Sequence, residues 1–507
     1  MLSTNQKIGR LIHQMRQERG LTQAEFARRL STSQSAINRI EHGNQNLSLE
    51  TLARISDVLK KPLISIGGGA INLRINGRRE LSGTIKTNVS KNAAVALLFA
   101  ALLNKGTTKL KSMPRIEEVN RLIEVLLSIG VHVKWLANND LEIKPPTRFK
   151  IDNIDVSSAR KTRSVIMMLG PLMHIYKEFK IPFAGGCKLG IRSIEAHKAA
   201  FEELGVNITA HAGFYTIKVN PKKREQQIVM YESSDTATEN LLMGAALIPG
   251  KTIIKLASSN YMVQDICFFL EKLGVKIEGI GTSTLTVQGV ASIKKNVTYY
   301  PSEDPIEAMT FIAAGVVTNS KITVSRSPID FLELELLKLK KMGLKFELSD
   351  SYKADNGRTN LVDIKLQKHN GELFALDEKI YARPFPGLNI DNLPLFGIIA
   401  AVAKGRTLIH DWVYEDRAIY FTELRKLNVN VSLVDPHRVY IDGPTKFSSA
   451  DVTCPPALRP AIIILLGMLA APGTSMLRNV YSINRGYEGF AERLNSLGAD
   501  IEVMHDI

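Results

Sequence analysis

One phrase returns six times along the chain: an apolar segment ends in a large aliphatic residue followed by Gly or Asn, and a short strand-forming run begins at once. The copies are Ile129-Gly130-Val131-His132-Val133, Leu204-Gly205-Val206-Asn207-Ile208, Leu273-Gly274-Val275-Lys276-Ile277, Met342-Gly343-Leu344-Lys345-Phe346, Leu427-Asn428-Val429-Asn430-Val431 and Leu497-Gly498-Ala499-Asp500-Ile501. Gly or Asn just past a helix end takes a left-handed conformation that other side chains reach only with strain. Each phrase therefore predicts a helix stopping and a strand starting. The Gly or Asn stands at 130, 205, 274, 343, 428 and 498, a spacing too long for a solenoid repeat and suited to a packed unit of two helices and several strands. Apolar runs at 93–103, 241–248, 308–317 and 395–403 give the repeat an earlier, more hydrophobic helix. Helices apolar nearly all round belong inside a domain, whereas the second helices, with Glu and Lys on one face, lie nearer solvent. The expected body is a six-unit α/β array with helices in the middle and sheets around them.

At 507 residues the chain is too long for a single core and predicts about three domains. Its 45% hydrophobic and 23% charged content is that of an ordinary globular protein. The longest apolar stretches, 93–103 and 461–471, fall well short of the ~20 residues that span a bilayer, and Met1-Leu2-Ser3-Thr4-Asn5-Gln6-Lys7 has no apolar signal core. The expected location is cytoplasmic. Three cysteines argue for reduced thiols rather than a disulfide framework. A formal net charge of +15 points to anionic partners, either phosphorylated small molecules or nucleic acid.

Residues 1–66 lie outside the repeat. The sequence predicts a basic amphipathic helix at 8–17 ended by Gly20, then a helix at 23–30 for which Thr22 is the N-cap and Glu25 completes a capping box. A third helix is expected at 34–41, stopping at His42-Gly43, and a fourth at 49–59. In the third, Ile37 and Ile40 must point into the small core, which leaves Gln34, Ser35, Asn38 and Arg39 outside. Gln and Asn match the edge of adenine in a major groove, and Arg matches guanine or phosphate. Through Leu21-Thr22-Gln23-Ala24-Glu25-Phe26-Ala27 and Ser33-Gln34-Ser35-Ala36-Ile37-Asn38-Arg39-Ile40-Glu41-His42-Gly43 the segment resembles the Cro/cI-type helix-turn-helix. That resemblance implies binding to double-stranded DNA, and with one unit binding weakly, a homodimer through this domain. A helical bundle that only holds protein partners is the plainer reading of the same four helices. Ser65-Ile66-Gly67-Gly68-Gly69-Ala70 is expected to be a joint.

The body carries a series of ordered motifs: Leu81-Ser82-Gly83, Ser90-Lys91-Asn92-Ala93-Ala94, Leu169-Gly170-Pro171-Leu172, Gly185-Gly186-Cys187-Lys188-Leu189-Gly190-Ile191-Arg192, Pro386-Gly387-Leu388-Asn389-Ile390-Asp391, Glu415-Asp416-Arg417 and Asn484-Arg485-Gly486-Tyr487-Glu488. In this order they resemble the enolpyruvyl transferases, and within them the branch acting on UDP-N-acetylglucosamine. The resemblance implies an inside-out α/β prism of two lobes built from six repeats, preceded by the small all-α helix-turn-helix domain. One lobe would comprise 67–90 with 299–507, and the other, carrying the Cys loop, 91–298. The implied reaction moves the enolpyruvyl group of phosphoenolpyruvate to the 3'-hydroxyl of UDP-N-acetylglucosamine and releases phosphate, with no metal and no cofactor.

That chemistry needs cations around a small, highly anionic substrate, an acid for its methylene carbon and a base for the accepting hydroxyl. By the resemblance, Lys91 contacts phosphoenolpyruvate, and Arg163, Arg192, Arg459 and Arg485 surround its phosphate and carboxylate. Arginine suits the task because its planar fork pairs two oxygens at once and keeps its charge. Asn92 and Asp391 hold the accepting sugar, Asp391 as base, and Arg417 lies near the cleft. Cys187 serves as acid or adduct-former; its neighbours Lys188 and Arg192 favour a thiolate. Cys267, within Ile266-Cys267-Phe268-Phe269-Leu270, reads instead as core packing, and Cys454 as a loop residue.

Several positions depart from the family pattern, and Arg192-Ser193-Ile194-Glu195-Ala196-His197 keeps the Arg and His of the nucleotide-side motif but changes its middle. Ala457 stands where an Asp is usual, Glu232 where a lysine near the UDP moiety is usual, and Met262 where a glutamate is usual. They leave two alternatives beside the enzyme: a transcription regulator whose impaired prism senses a ligand, and a transferase using a different nucleotide acceptor.

Overall fold

The computed structural model describes residues 4–18, 21–45, 47, 49–59, 71–183, 185, 193–220 and 225–505. The joint at 65–70, Cys187 and Arg192 lie outside the described residues. Two compact units are present, Met1–Asn72 with Met504–Ile507, and Leu73–Val503.

The first unit holds four helices, Thr4–Glu18, Gln23–Arg29, Gln34–Glu41 and Leu49–Leu59. The capping box at Thr22 is complete: its hydroxyl accepts from the Glu25 N–H at 3.2 Å, and the Glu25 carboxylate accepts from the Thr22 N–H at 2.8 Å. The first helix starts several residues before the expected position 8, so it extends beyond its amphipathic stretch. Ile12, Phe26, Ile37, Ile55 and Leu59 make the core. Glu41, almost fully buried, ties three helices together: Arg16 Nε donates to it at 2.5 Å, Gln23 Nε2 at 2.9 Å, and His13 Nδ1 lies 2.6 Å away. Burial works against the charged carboxyl, but Arg16, His13 and Gln23 outweigh it and hold Glu41 below the usual carboxylate range.

The second unit is built from six sheets. All six phrase residues, Gly130, Gly205, Gly274, Gly343, Asn428 and Gly498, have positive φ, between 68° and 102°. Behind them run the strands His132–Trp135, Val206–His211, Lys276–Glu278, Phe346–Leu348, Asn430–Asp435 and Ile501–His505. Five of the sheets share one construction, an antiparallel set closed by a parallel strand. Glu225–Val229 lies parallel to Gly250–Lys255, Val297–Tyr299 to Thr108–Leu110, Ser82–Lys86 to Lys321–Pro328, Ile380–Tyr381 to Gly405–His410, and Asp451–Thr453 to Thr474–Arg478. The sixth, Glu178–Pro182, Phe214–Val219 and Val206–His211, has three strands among the described residues.

The repeat's apolar helices form two bundles of three. Lys91–Ala100, Asp235–Ala246 and Tyr261–Leu273 pack against one another, as do Pro305–Val317, Leu393–Ala400 and Leu458–Ala470. Pro305–Val317 is buried along its whole length, while strands alternate buried and exposed residues, as in Thr108–Leu110. Helices inside and sheets outside is the arrangement this difference requires. In the fifth copy the second helix, Ala418–Leu427, is a 3-10 helix; its Thr422 hydroxyl donates to the Ile419 carbonyl three residues back at 2.7 Å. No helix among the described residues is long and apolar enough to cross a membrane.

Candidate functional site

A cavity in the second unit gathers residues from both bundles. Lys91 and Asn92 open the helix Lys91–Ala100, which Ser90 caps by accepting from the Ala93 N–H at 3.3 Å. Arg459 stands in the first turn of Leu458–Ala470. Arg163 and Arg417 immediately precede the 3-10 segments Ser164–Met168 and Ala418–Leu427, and Arg485 follows the short helix Tyr481–Asn484. Five cations thus reach one space from five separate elements. Asp391 comes from the loop after Pro386, where its N–H donates to Asn389 Oδ1 at 2.9 Å. Lys91, Asn92, Arg163, Asp391, Arg417, Arg459 and Arg485 all line this cavity.

Two carboxylates, the buried Glu118 and the half-buried Asp391, neutralise part of this charge. Glu118 Oε2 is 3.0 Å from Lys91 Nζ and 3.8 Å from Arg485 Nε, and Glu118 Oε1 accepts from Thr162 at 3.2 Å. Its burial favours the neutral acid, but Lys91 and Arg485 together overcome that and bring it down to about 2. Asp391 lies 3.3 Å from Arg459 Nη2 and 3.8 Å from Arg417 Nη1. Burial again opposes ionisation, and Arg459, Arg417 and Lys91 hold its carboxyl below the usual range.

The arginines are themselves anchored. Arg417 is 1% exposed; its Nε pairs with Asp411 and its Nη2 donates to the Ile390 carbonyl at 2.7 Å, while Nη1 has no hydrogen-bond partner. Arg459 Nη1 donates to the Tyr487 hydroxyl at 2.7 Å. Arg163 Nη2 donates to the Ser193 carbonyl at 2.9 Å. Guanidinium groups held in place by the chain cost little further ordering when an oxyanion arrives. Asn92 Nδ2 donates to the hydroxyl of Tyr261 at 3.1 Å, and Tyr261 packs edge-on to Phe331 of the other half.

Glu118, Tyr261 and Asp411 were not among the residues singled out from sequence. Glu118 had a signal. In the helix Glu117–Ser128 it falls on the face that buries Val119, Leu122 and Ile123, and a charge on an apolar face needs a partner. Of the two described thiols, Cys267 is fully buried in the core and Cys454 nearly so, and burial pushes both up, Cys454 to about 12. Ala457 is the N-cap of Leu458–Ala470 and supplies no side-chain cap.

In the first unit Gln34, Ser35, Asn38 and Arg39 are exposed on Gln34–Glu41, while Ile37 and Ile40 are buried beneath them. Ser33 caps this helix by accepting from the Ala36 N–H at 3.2 Å.

The family described as EPSP synthase (3-phosphoshikimate 1-carboxyvinyltransferase) matches residues 75–494. The chain belongs to this family. A helix-turn-helix family matches residues 12–66. The chain is 31% identical over 433 residues to the UDP-N-acetylglucosamine 1-carboxyvinyltransferase of Bradyrhizobium diazoefficiens, covering 84% of this chain and 97% of that one. It is 32% identical over 438 residues to the enzyme of the same description from Campylobacter hominis, covering 85% and 98%. In fold it is similar to the enolpyruvyl transferase NikO from Streptomyces tendae, with a TM-score of 0.73 at 22% identity over 87% of this chain and all of that one. The two bundles of three helices walled by six sheets are thus the enolpyruvyl transferase prism, and residues of both bundles line the cavity.

Proposed function

We propose that this chain transfers the enolpyruvyl group of phosphoenolpyruvate to the 3'-hydroxyl of UDP-N-acetylglucosamine, releasing phosphate, and that its first unit binds double-stranded DNA. The observation that carries the transferase reading is the convergence of Lys91, Arg163, Arg417, Arg459 and Arg485 on one cavity that also holds Asp391. Net positive charge held in a partly dry site is what a small substrate bearing phosphate and carboxylate needs.

In this reading Lys91, Arg163, Arg459 and Arg485, with Arg192, bind the phosphate and carboxylate. The acceptor oxygen bonds to C2 of phosphoenolpyruvate while a proton is added to C3; a proton then leaves C3 and the C–O bond to phosphate breaks. Asp391 takes the hydroxyl proton, and Asn92, oriented by Tyr261, holds the accepting sugar. Arg459 and Arg417 make Asp391 a weak base by holding its charge. An arriving trianion offsets those cations and raises the basicity of Asp391 when the base is needed. Cys187, bracketed by glycines in the sequence, serves as the acid or adduct-former.

The test is phosphate release from the purified full chain given phosphoenolpyruvate and UDP-N-acetylglucosamine, with Cys187→Ala alongside. Release that depends on both substrates and falls in the variant is the expected result. Ala457, with no carboxylate at the head of Leu458–Ala470, favours the alternative of a ligand-sensing regulator; nucleotide-sugar binding without phosphate release would select it. On the DNA side, Gln34, Ser35, Asn38 and Arg39 form the exposed polar face that would meet base edges.

A further inference from the structure

Among the carboxyl groups lining the cavity, one has a buried oxygen that nothing among the described residues pairs. Glu239 lines the cavity from the helix Asp235–Ala246, one turn beyond Asp235 and on the same face. It is 2% exposed, and its Oε1 has no hydrogen-bond partner. Its neighbours are satisfied. Asp235 accepts from Ser258 at 2.5 Å and from Asn260 at 3.1 Å, and Glu118 and Asp391 have their cations. Buried polar groups are seldom left without partners, because nothing then replaces the water they lose. Glu239 lines the cavity while one of its oxygens goes unpaired, so a ligand group reaching this wall is the partner that the described residues do not supply.

Two further facts say what that ligand group is. The charges acting on Glu239, after burial itself, are those of Asp235 and Asp265, and all three influences push its carboxyl well above the usual range. Burial and both acidic neighbours thus favour the protonated form of Glu239, which presents an O–H donor and a C=O acceptor side by side. No described cation of the cavity stands among the charges acting on it, so it is not where a phosphate or carboxylate would settle.

Resting on the transfer reading, we propose that Glu239 is a specificity-determining residue for the accepting substrate, hydrogen-bonding an uncharged amide-type group of it. The acceptor class is then one that carries such a group, with no phosphate placed against this wall. UDP-N-acetylglucosamine offers that chemistry twice, in its acetamido group and in the imide of uracil.

The experiment compares wild type, Glu239→Gln and Glu239→Leu as full-length proteins. UDP-N-acetylglucosamine, UDP, N-acetylglucosamine 1-phosphate and phosphoenolpyruvate are titrated by calorimetry, with thermal unfolding and, where turnover occurs, KM for each substrate. Glu239→Leu is expected to weaken UDP-N-acetylglucosamine about tenfold or more and to weaken one of its two fragments in parallel, which identifies the group read. Phosphoenolpyruvate binding should stay within twofold. Glu239→Gln, which keeps a donor and an acceptor, should stay within about threefold of wild type. Glu239→Leu should unfold no earlier than wild type, because it removes an unpaired buried polar group. Unchanged UDP-N-acetylglucosamine binding in Glu239→Leu, a parallel loss of phosphoenolpyruvate, a Gln variant as impaired as the Leu variant, or a wild type that binds neither UDP-N-acetylglucosamine nor its fragments would each overturn the proposal. Binding without phosphate release overturns the transfer reading alone.

Discussion

Glu118 is expected to stabilise the empty protein and at the same time to compete with the substrate. Its carboxyl is held at about 2 instead of 4.5 by Lys91 and Arg485, a difference worth roughly 3 kcal/mol to the folded chain. The folded-state value is the lower one, so this contribution is complete above pH 4.5 and is lost as the pH falls toward 2. Glu118→Gln keeps the shape and the hydrogen bond from Thr162 but leaves Lys91 and Arg485 to repel each other in a partly dry cavity. Urea unfolding at pH 7 should show a loss on the order of 3 kcal/mol. The penalty should shrink as the pH is lowered through 4 to 3, because wild-type Glu118 then begins to protonate in the unfolded chain. The second signature has the opposite sign. Phosphoenolpyruvate or inorganic phosphate supplies the missing negative charge, so either should raise the thermal midpoint of Glu118→Gln more than that of wild type. A penalty as large at pH 3 as at pH 7, a loss under 1 kcal/mol, or a smaller ligand-induced shift in the variant would refute the reasoning.

Other expectations follow from the same geometry. Asp391→Asn should lower phosphate release by a hundredfold or more while phosphoenolpyruvate binding, measured by calorimetry, is retained; loss of both together would assign Asp391 to binding. Fosfomycin, an epoxide mimic of phosphoenolpyruvate, should alkylate Cys187, and intact-mass analysis without an adduct would count against a reactive thiol in that loop. Arg39→Ala should weaken duplex binding and flatten its salt dependence by about one unit of slope, as read by anisotropy across a salt series. Thr22→Ala removes one half of the capping box and should cost the first unit about 1 kcal/mol, seen as an earlier thermal transition.

Much of the fold was legible because it is written in local rules. A left-handed turn admits few residue types, so six Gly or Asn positions mark six helix ends, and the third and fourth helices of the first unit end where Glu41 and Leu59 end their apolar patterns. The cationic side of the site was legible by resemblance, since its residues sit in short ordered motifs. Glu118, Glu239 and Asp411 were not: Glu118 acts through partners distant in sequence, Glu239 keeps an oxygen with no partner among the described residues, and Asp411 meets Arg417 only through the local fold. Glu118 and Arg485 are 3.8 Å apart across the cavity yet separated by most of the body, and no local pattern couples them. Asp411 is fully buried and holds Arg417, a role that depends on the strand Gly405–His410 ending beside the 3-10 segment that follows Arg417.

The charge arithmetic of the cavity bears on how it discriminates between full and empty states. Each carboxylate at the cationic end bridges two cations, Glu118 between Lys91 and Arg485, and Asp391 between Arg459 and Arg417. Both bridges combine a contact of about 3 Å with one of 3.8 Å, so each carboxylate has one firm partner and one looser one. By the lobe division that the resemblance implies, 91–298 against 67–90 with 299–507, Lys91 and Glu118 fall in one lobe and Arg485, Asp391, Arg459 and Arg417 in the other. The looser bond of Glu118 is therefore also the one that crosses between lobes. A phosphate entering between them can take over Arg485 without breaking the Lys91 pair, and it brings more charge to the lobe boundary than the carboxylate it displaces. In the proposed transfer reading, with the lobes closing on substrate, this exchange couples binding to closure, which predicts that Glu118→Gln alters the ligand-dependent change in compactness seen by solution scattering more than Asp391→Asn does. Equal changes in the two variants would place the coupling elsewhere.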